Sequence, residues 1–225
     1  MKNKYFFILL ILIAMLYSCK KDNIAVNFHE NYFPLSKGKF VEYDVTYIKH
    51  NSSTLHDTSY YVLKTLIGDT VYDNQGRVAW KFYRYIYNTT SQLYEIKDLW
   101  TAIIDGKRAE LVEENQRIIK LIFAPTLSKE WDMNAFNVDD PLLAFYENIH
   151  KSVSINGLDF DSTITVIQER SDVTLIDYSL KTETYAANIG LISKYYKSIK
   201  ISNFDTLNVN GGEELYYKIR NYGVE

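Results

Sequence analysis

One cysteine, four histidines and twenty-eight carboxylates are the side chains of this 225-residue chain best suited to covalent, metal or acid–base chemistry. The histidines stand at 29, 50, 56 and 150, and none falls in H-E-x-x-H or a Cys/His spacing that builds a zinc site. His50 and His56 flank a polar stretch that reads as a hairpin loop. Solvated side chains are the simpler reading there, and a metal site is the alternative. Carboxylates come in pairs at Glu113-Glu114, Asp139-Asp140, Asp159/Asp161 and Glu213-Glu214. A glycosidase needs two carboxyls about 5–9.5 Å apart across a sugar cleft; solvated turn acids are again the simpler reading. Asp159-Phe160-Asp161-Ser162 offers oxygens to calcium but lacks the rest of an EF-hand loop. G-x-S-x-G, P-loop and G-x-G-x-x-G patterns do not occur. The expectation is a non-enzymatic protein with no catalytic residue, metal or cofactor.

Cys19 differs because of where it stands. Lys2 and Lys4 precede an apolar run from Tyr5 to Leu16, and Lys20-Lys21-Asp22-Asn23 follow the cysteine. That is the layout of a cleaved secretory signal. As a helix the twelve-residue run spans about 18 Å, short of the ~30 Å hydrocarbon core. A lone cysteine cannot close an internal disulfide. Leu16-Tyr17-Ser18-Cys19 resembles the lipobox of bacterial lipoproteins, although Tyr17 replaces the usual small residue. The resemblance implies removal of residues 1–18, a diacylglyceryl group on the Cys19 thiol and attachment to the outer membrane. Its periplasmic or external face stays open. Buried acyl chains hold a protein by roughly 0.8 kcal/mol per methylene. Residues 19–31 then read as a lipidated tether and 32–225 as one β-rich domain.

The elements that would position any site are strands. Hydrophobic residues make up 47% of the chain and charged residues 24%, which suits a packed core rather than wholesale disorder. Removing Lys2 and Lys4 takes the net charge from −3 to −5, so no electrostatic footprint for nucleic acid is present. Twenty tyrosines favour pleated surfaces. Val41, Tyr43, Val45 and Tyr47 alternate with Glu42, Asp44 and Thr46, a period of two. Similar runs cover 60–67, 78–87, 93–104, 107–112, 117–123, 160–169, 173–185, 195–201 and 215–222. Residues 142–153 read as either a short helix or a strand, and 126–140 as a loop over the core. Asp105-Gly106, Asn156-Gly157, Asp172 and Asn210-Gly211-Gly212 read as turns. About ten antiparallel strands with at most one or two short helices predict a meander, strongly curved or an open barrel; a two-sheet sandwich is the alternative.

Two segments resemble uncharacterised secreted lipoproteins of Bacteroidota. One is Tyr32-Phe33-Pro34-Leu35, Gly38, Tyr43 and Val45. The other is Tyr185-Ala186, Ile189-Gly190-Leu191-Ile192. In that group exported proteins are O-glycosylated at Asp-Ser/Thr-apolar or Asp-Ser/Thr-Thr, which implies sites at Thr70, Ser162 and Thr206. The functional expectation is a membrane-anchored envelope lipoprotein with a binding or structural role. The alternatives are a carrier of an apolar ligand in a cavity lined by tyrosines such as Tyr43, Tyr83, Tyr196 and Tyr217, and a glycan hydrolase. The simpler reading of those tyrosines is that they fill the core and decorate the outer face.

Overall fold

Alternating runs become strands along the whole chain. The computed structural model describes residues 27–225 except 172. Its strands are β1 (Lys39–His50), β2 (His56–Tyr72), β3 (Val78–Asn88), β4 (Leu93–Asp105), β5 (Arg108–Glu113), β6 (Gln116–Ile122), β7 (Glu130–Asp132), β8 (Leu143–Ile155), β9 (Leu158–Arg170), β10 (Asp177–Ala186), β11 (Gly190–Ser202) and β12 (Asp205–Val224). They form one antiparallel sheet in the order β6-β5-β4-β3-β2-β1-β12-β11-β10-β9-β8-β7. The first and last strands are neighbours at its middle, and β6 and β7 are its edges. The signal residues 1–18, Cys19 and the turn at Asp172 lie outside the described residues.

The two edges meet. The Ile119 N–H donates to the Met133 carbonyl at 3.0 Å, and Trp131 Nε1 donates to the Ile119 carbonyl at 3.1 Å. The Tyr146 hydroxyl donates to the Ile122 carbonyl at 2.6 Å and lies 3.0 Å from the Ile122 N–H. These bonds occupy edge groups that would otherwise offer a template for aggregation. The result is a nearly closed barrel. Its outer surface carries exposed charges such as Asp44, Lys218 and Arg220, which a lipid-facing band of strands would hold only at a cost.

Twelve strands rather than about ten follow from two places. Residues 143–155 settle as a strand, and three residues inside the expected 126–140 loop form β7. Among the described residues the helical piece is one 3-10 turn, Glu30–Tyr32. The expected turn at Asn210-Gly211-Gly212 is not one, because β12 runs straight through it. Gly212 (φ +101°) instead lets two strands approach; a Cβ there would lie 2.2 Å from the Ser198 carbonyl oxygen. The chain reverses at Asn203-Phe204, both in the left-handed region (φ 55° and 61°), between paired Ser202 and Asp205. That is the backbone of a tight hairpin turn, with an unusual phenylalanine in it. Residues 187–189 separate β10 from β11. β10 ends at Ala186, and Asn188 (φ 67°) and Gly190 (φ 100°) turn the chain into β11.

The core divides into two clusters. One gathers Tyr32, Phe33, Leu111, Phe123, Trp131, Tyr146 and Tyr185. The other gathers Val41, Tyr43, Val45, Leu63, Phe160, Tyr217 and Ile219 around the β1–β12 pair. A knot of charge stands apart from both. Glu110, 0% exposed, takes Arg108 at 2.5 Å, Arg117 at 2.9 Å and Arg77 at 3.5 Å. Asp73 and Asp105 hold the far sides of the same arginines. The β2–β3 turn, the β4–β5 turn and β6 are thereby tied together.

Candidate functional site

Residues 27–38 lie against the barrel end formed by the start of β1 and the close of β2. The Phe28 carbonyl accepts from the Ala124 N–H at 2.7 Å, the Asn31 carbonyl from Asn188 at 2.7 Å, and Gly38 donates to Ile67 at 2.8 Å. Tyr32 is 1% exposed; its hydroxyl sits 2.7 Å from His150 Nδ1 and 2.7 Å from Ser162 Oγ. Residues 27–31, read from sequence as the end of a tether, therefore pack on the sheet. This cap uses both of the segments singled out in the sequence. The Phe33 ring stands 6.5 Å from that of Tyr185, Pro34 lies over Gly190, and the Tyr43 hydroxyl donates to the Leu191 carbonyl at 2.8 Å.

Beneath the cap is a chamber of about 90 Å³, room for several waters or one ring-sized group. Phe33, Pro34 and Leu35 line one side, and Phe82, Trp100, Tyr43 and Tyr217 form part of its wall. Four cationic side chains, Lys39, Arg84, Lys120 and Lys194, face it together with only two carboxylates, Glu113 and Glu183.

These charges are organised. Glu183 on β10 is 1% exposed and accepts from Lys120 at 3.0 Å, Tyr185 at 2.5 Å and Tyr196 at 3.0 Å, with Lys194 at 3.1 Å. Burial alone would raise its pKa; Lys120 and Lys194 outweigh that and hold the carboxyl well below the usual range. Burial pulls Lys120 down, but Glu183 and Glu113 push it above its ordinary value. Burial and the Glu183 charge drive the Tyr185 and Tyr196 hydroxyls far upward, so both remain donors. Arg84 on β3 binds Asp98 at 2.7 Å and the Tyr217 hydroxyl at 3.2 Å. Its guanidinium lies 3.9 Å from the Trp100 ring centre, a cation–π contact.

Of the tyrosines expected at a cavity, Tyr43 and Tyr217 line the chamber, whereas Tyr83 does not and Tyr196 acts through Glu183. Tyr60 is exposed and Tyr83 stacks on Tyr85 away from the chamber. Thr70 is exposed on β2, Thr206 is half-buried beside the Asn203-Phe204 turn, and Ser162 shares its hydroxyl with Tyr32. His50 and His56 flank residues 51–55. They end β1 and begin β2 directly opposite one another. Sequence reasoning missed Arg84, Lys120, Glu183 and Lys194. The available signal was a lone charge inside an apolar run, as in Ile118-Ile119-Lys120-Leu121-Ile122, since such a charge is rarely buried without a partner.

No family model and no curated protein matches the chain. A solved structure of a candidate lipoprotein from Parabacteroides distasonis is similar at a TM-score of 0.44 and 11% identity, covering 85% of this chain and 98% of that one.

Proposed function

We propose that the chain is a lipid-anchored envelope protein whose barrel is a non-enzymatic binding module for a small molecule with an anionic group and an apolar part. The chamber carries this reading: its wall is aromatic, and its cations outnumber its carboxylates four to two. Lys39 in particular donates to the Asn188 carbonyl, a contact that contains no carboxylate. Trp100 and Tyr217 give a flat apolar group surfaces to pack on, while Arg84 and Lys194 supply the polar contacts that orient a ligand. The hydrolase alternative fits less well. Both oxygens of Glu183 are already engaged by lysines and tyrosines, which leaves little capacity for a water or sugar.

In this reading Cys19 carries the lipid. Seven residues separate it from Asn27, a length that reaches no farther than about 30 Å. The capped end of the barrel then faces the bilayer, and the opposite end projects away. Thr70 and Thr206 are the better O-glycan acceptors, because the Ser162 hydroxyl is occupied by Tyr32.

Native mass spectrometry of protein extracted from its own membranes tests both halves. The expected spectrum shows a mass above the peptide for lipid and sugar, plus a dissociable small molecule that Arg84→Ala no longer retains. A spectrum with no dissociable species removes the binding reading. Cys19→Ala should leave the membrane fraction; if it stays there after a high-salt wash, the lipid reading fails.

A further inference from the structure

Arg84 brings more donors to the chamber wall than the protein uses. It is 7% exposed. Of its five N–H groups, one goes to Asp98 at 2.7 Å and one to the Tyr217 hydroxyl at 3.2 Å. Among the described residues the other three have no acceptor. Buried donors of that kind are costly to leave unpaired. Trp100, 3.9 Å from the guanidinium, holds its plane in place. Arg84 borders the chamber, so an acceptor lodged there can take these hydrogens. Lys194 also lies near Tyr217, its ammonium 5.5 Å from the ring centre. The charges of the wall do not cancel. Lys39, Arg84, Lys120 and Lys194 carry four positive charges. Glu113 and Glu183 line the same space and Asp98 pairs with Arg84, which makes three negative ones. One positive charge is left over. The wall hydroxyls do not alter this count, because burial raises Tyr43, Tyr185 and Tyr217 and keeps them neutral.

We propose that the ligand of this chamber is a compact monocarboxylate, one carboxylate on a single ring or a short branched chain, held by Arg84 and Lys194. The proposal rests on the reading of the barrel as a binding module. Each limit on the ligand has its own cause. The single charge follows from the one positive charge left over. A phosphate monoester carries about 1.5–2 negative charges at neutral pH, and its excess would be buried without a partner. The carboxylate follows from the guanidinium, whose planar fork offers two parallel N–H groups to two oxygens. An uncharged ring would leave those donors unpaired. The size follows from the space. About 90 Å³ is well below the several hundred Å³ of a pocket for a drug-sized molecule, so a long acyl chain does not fit. The apolar body follows from Phe33, Leu35, Leu63 and Leu111, which line the rest of the wall and whose side chains give a second polar group no partner.

Benzoate is the probe. It is titrated calorimetrically into the full chain, purified from its own membranes and exchanged into detergent buffer until the native spectrum shows no dissociable species. One benzoate per chain is expected. Benzyl alcohol keeps the ring without the charge, and phenyl phosphate keeps the ring with a second charge. Each should bind at least about tenfold more weakly. Arg84→Lys keeps the charge and loses the fork, and should weaken benzoate by at least about tenfold. Arg77→Lys should leave it unchanged. In ¹⁵N spectra, benzoate should shift the Nε resonance of Arg84 and not that of Arg77. Benzyl alcohol or phenyl phosphate binding as tightly as benzoate overturns the proposal and still leaves a small molecule in the chamber. Absence of benzoate binding overturns it as well, and the native spectrum taken before exchange then separates the two readings. A dissociable species that Arg84→Ala no longer retains keeps the binding module, whereas no such species removes both. Circular dichroism of each variant separates a lost contact from a lost fold.

Discussion

Glu110 and Glu183 are sealed from water almost completely, and they are served differently. Glu110 is held by arginines whose planar forks also grip Asp73 and Asp105. Glu183 is held by two lysines and two tyrosines at the wall of the chamber. Arginine brings several fixed donors to fixed acceptors, whereas lysine is a point charge on a flexible stem. The Glu110 knot therefore fastens hairpins together. The Glu183 cluster neutralises a carboxylate while leaving ammonium groups able to turn toward something else. A rigid clamp suits structure, and an adaptable set of cations suits a site that admits a ligand.

The contrast can be broken at several points. Glu183→Ala leaves Lys120, which is nearly inaccessible, with the Glu113 carboxylate at 3.4 Å as its remaining acidic partner among the described residues. The expected loss is about 3–5 kcal/mol in urea unfolding, the usual effect of breaking a buried pair. Glu110→Ala should lose less, about 1–3 kcal/mol, because its arginines are 21–33% exposed and can turn to water. Equal losses would erase the distinction. Acid sharpens it. The folded pKa of Glu183 lies below its ordinary value of 4.5, so its contribution is complete above about pH 4.5 and fades as the pH falls toward the folded value. Unfolding measured from pH 6 down to pH 3 should show a shallower acid decline in Glu183→Gln than in the parent. An identical slope would mean the carboxylate is not the one being titrated. The smallest effect belongs to Arg84→Lys, which keeps the charge but loses the fork and the contact with Trp100. About 0.5–2 kcal/mol is expected, with a change in tryptophan emission that Arg77→Lys should not produce.

Much of the barrel was legible because alternation is a local property. Val41, Tyr43 and Val45 declare an inward face in any antiparallel sheet. The turn at Asn156-Gly157 was legible for the same reason. Gly211-Gly212 misled because glycine marks close approach as well as reversal, and only the position of β11 shows which is meant. Phe204 gave no sign of a turn at all. The chamber was less legible still. Lys120, Glu183 and Arg84 come from β6, β10 and β3, and nothing in one strand says that its odd charge will meet another's. The His50–His56 pairing was within reach, since two strands joined by a short polar link must place their ends opposite each other; the polar composition of 50–58 suggests a wider loop than the 51–55 that β1 and β2 leave between them.

The adjacency of β1 and β12 bears on how the molecule comes to be. Every other pairing in the ladder joins consecutive strands, so two six-stranded arms can form by short steps. The join between them closes a loop of more than one hundred and fifty residues, a costly contact that comes late in a search dominated by local pairing. A ribosome emits β1 first and β12 last. During synthesis or export the arm that begins with β1 must wait with one flank unpaired, and the final strand to emerge is the one that joins the two arms. Such a chain is suited to being kept unfolded until β12 is available to close the sheet.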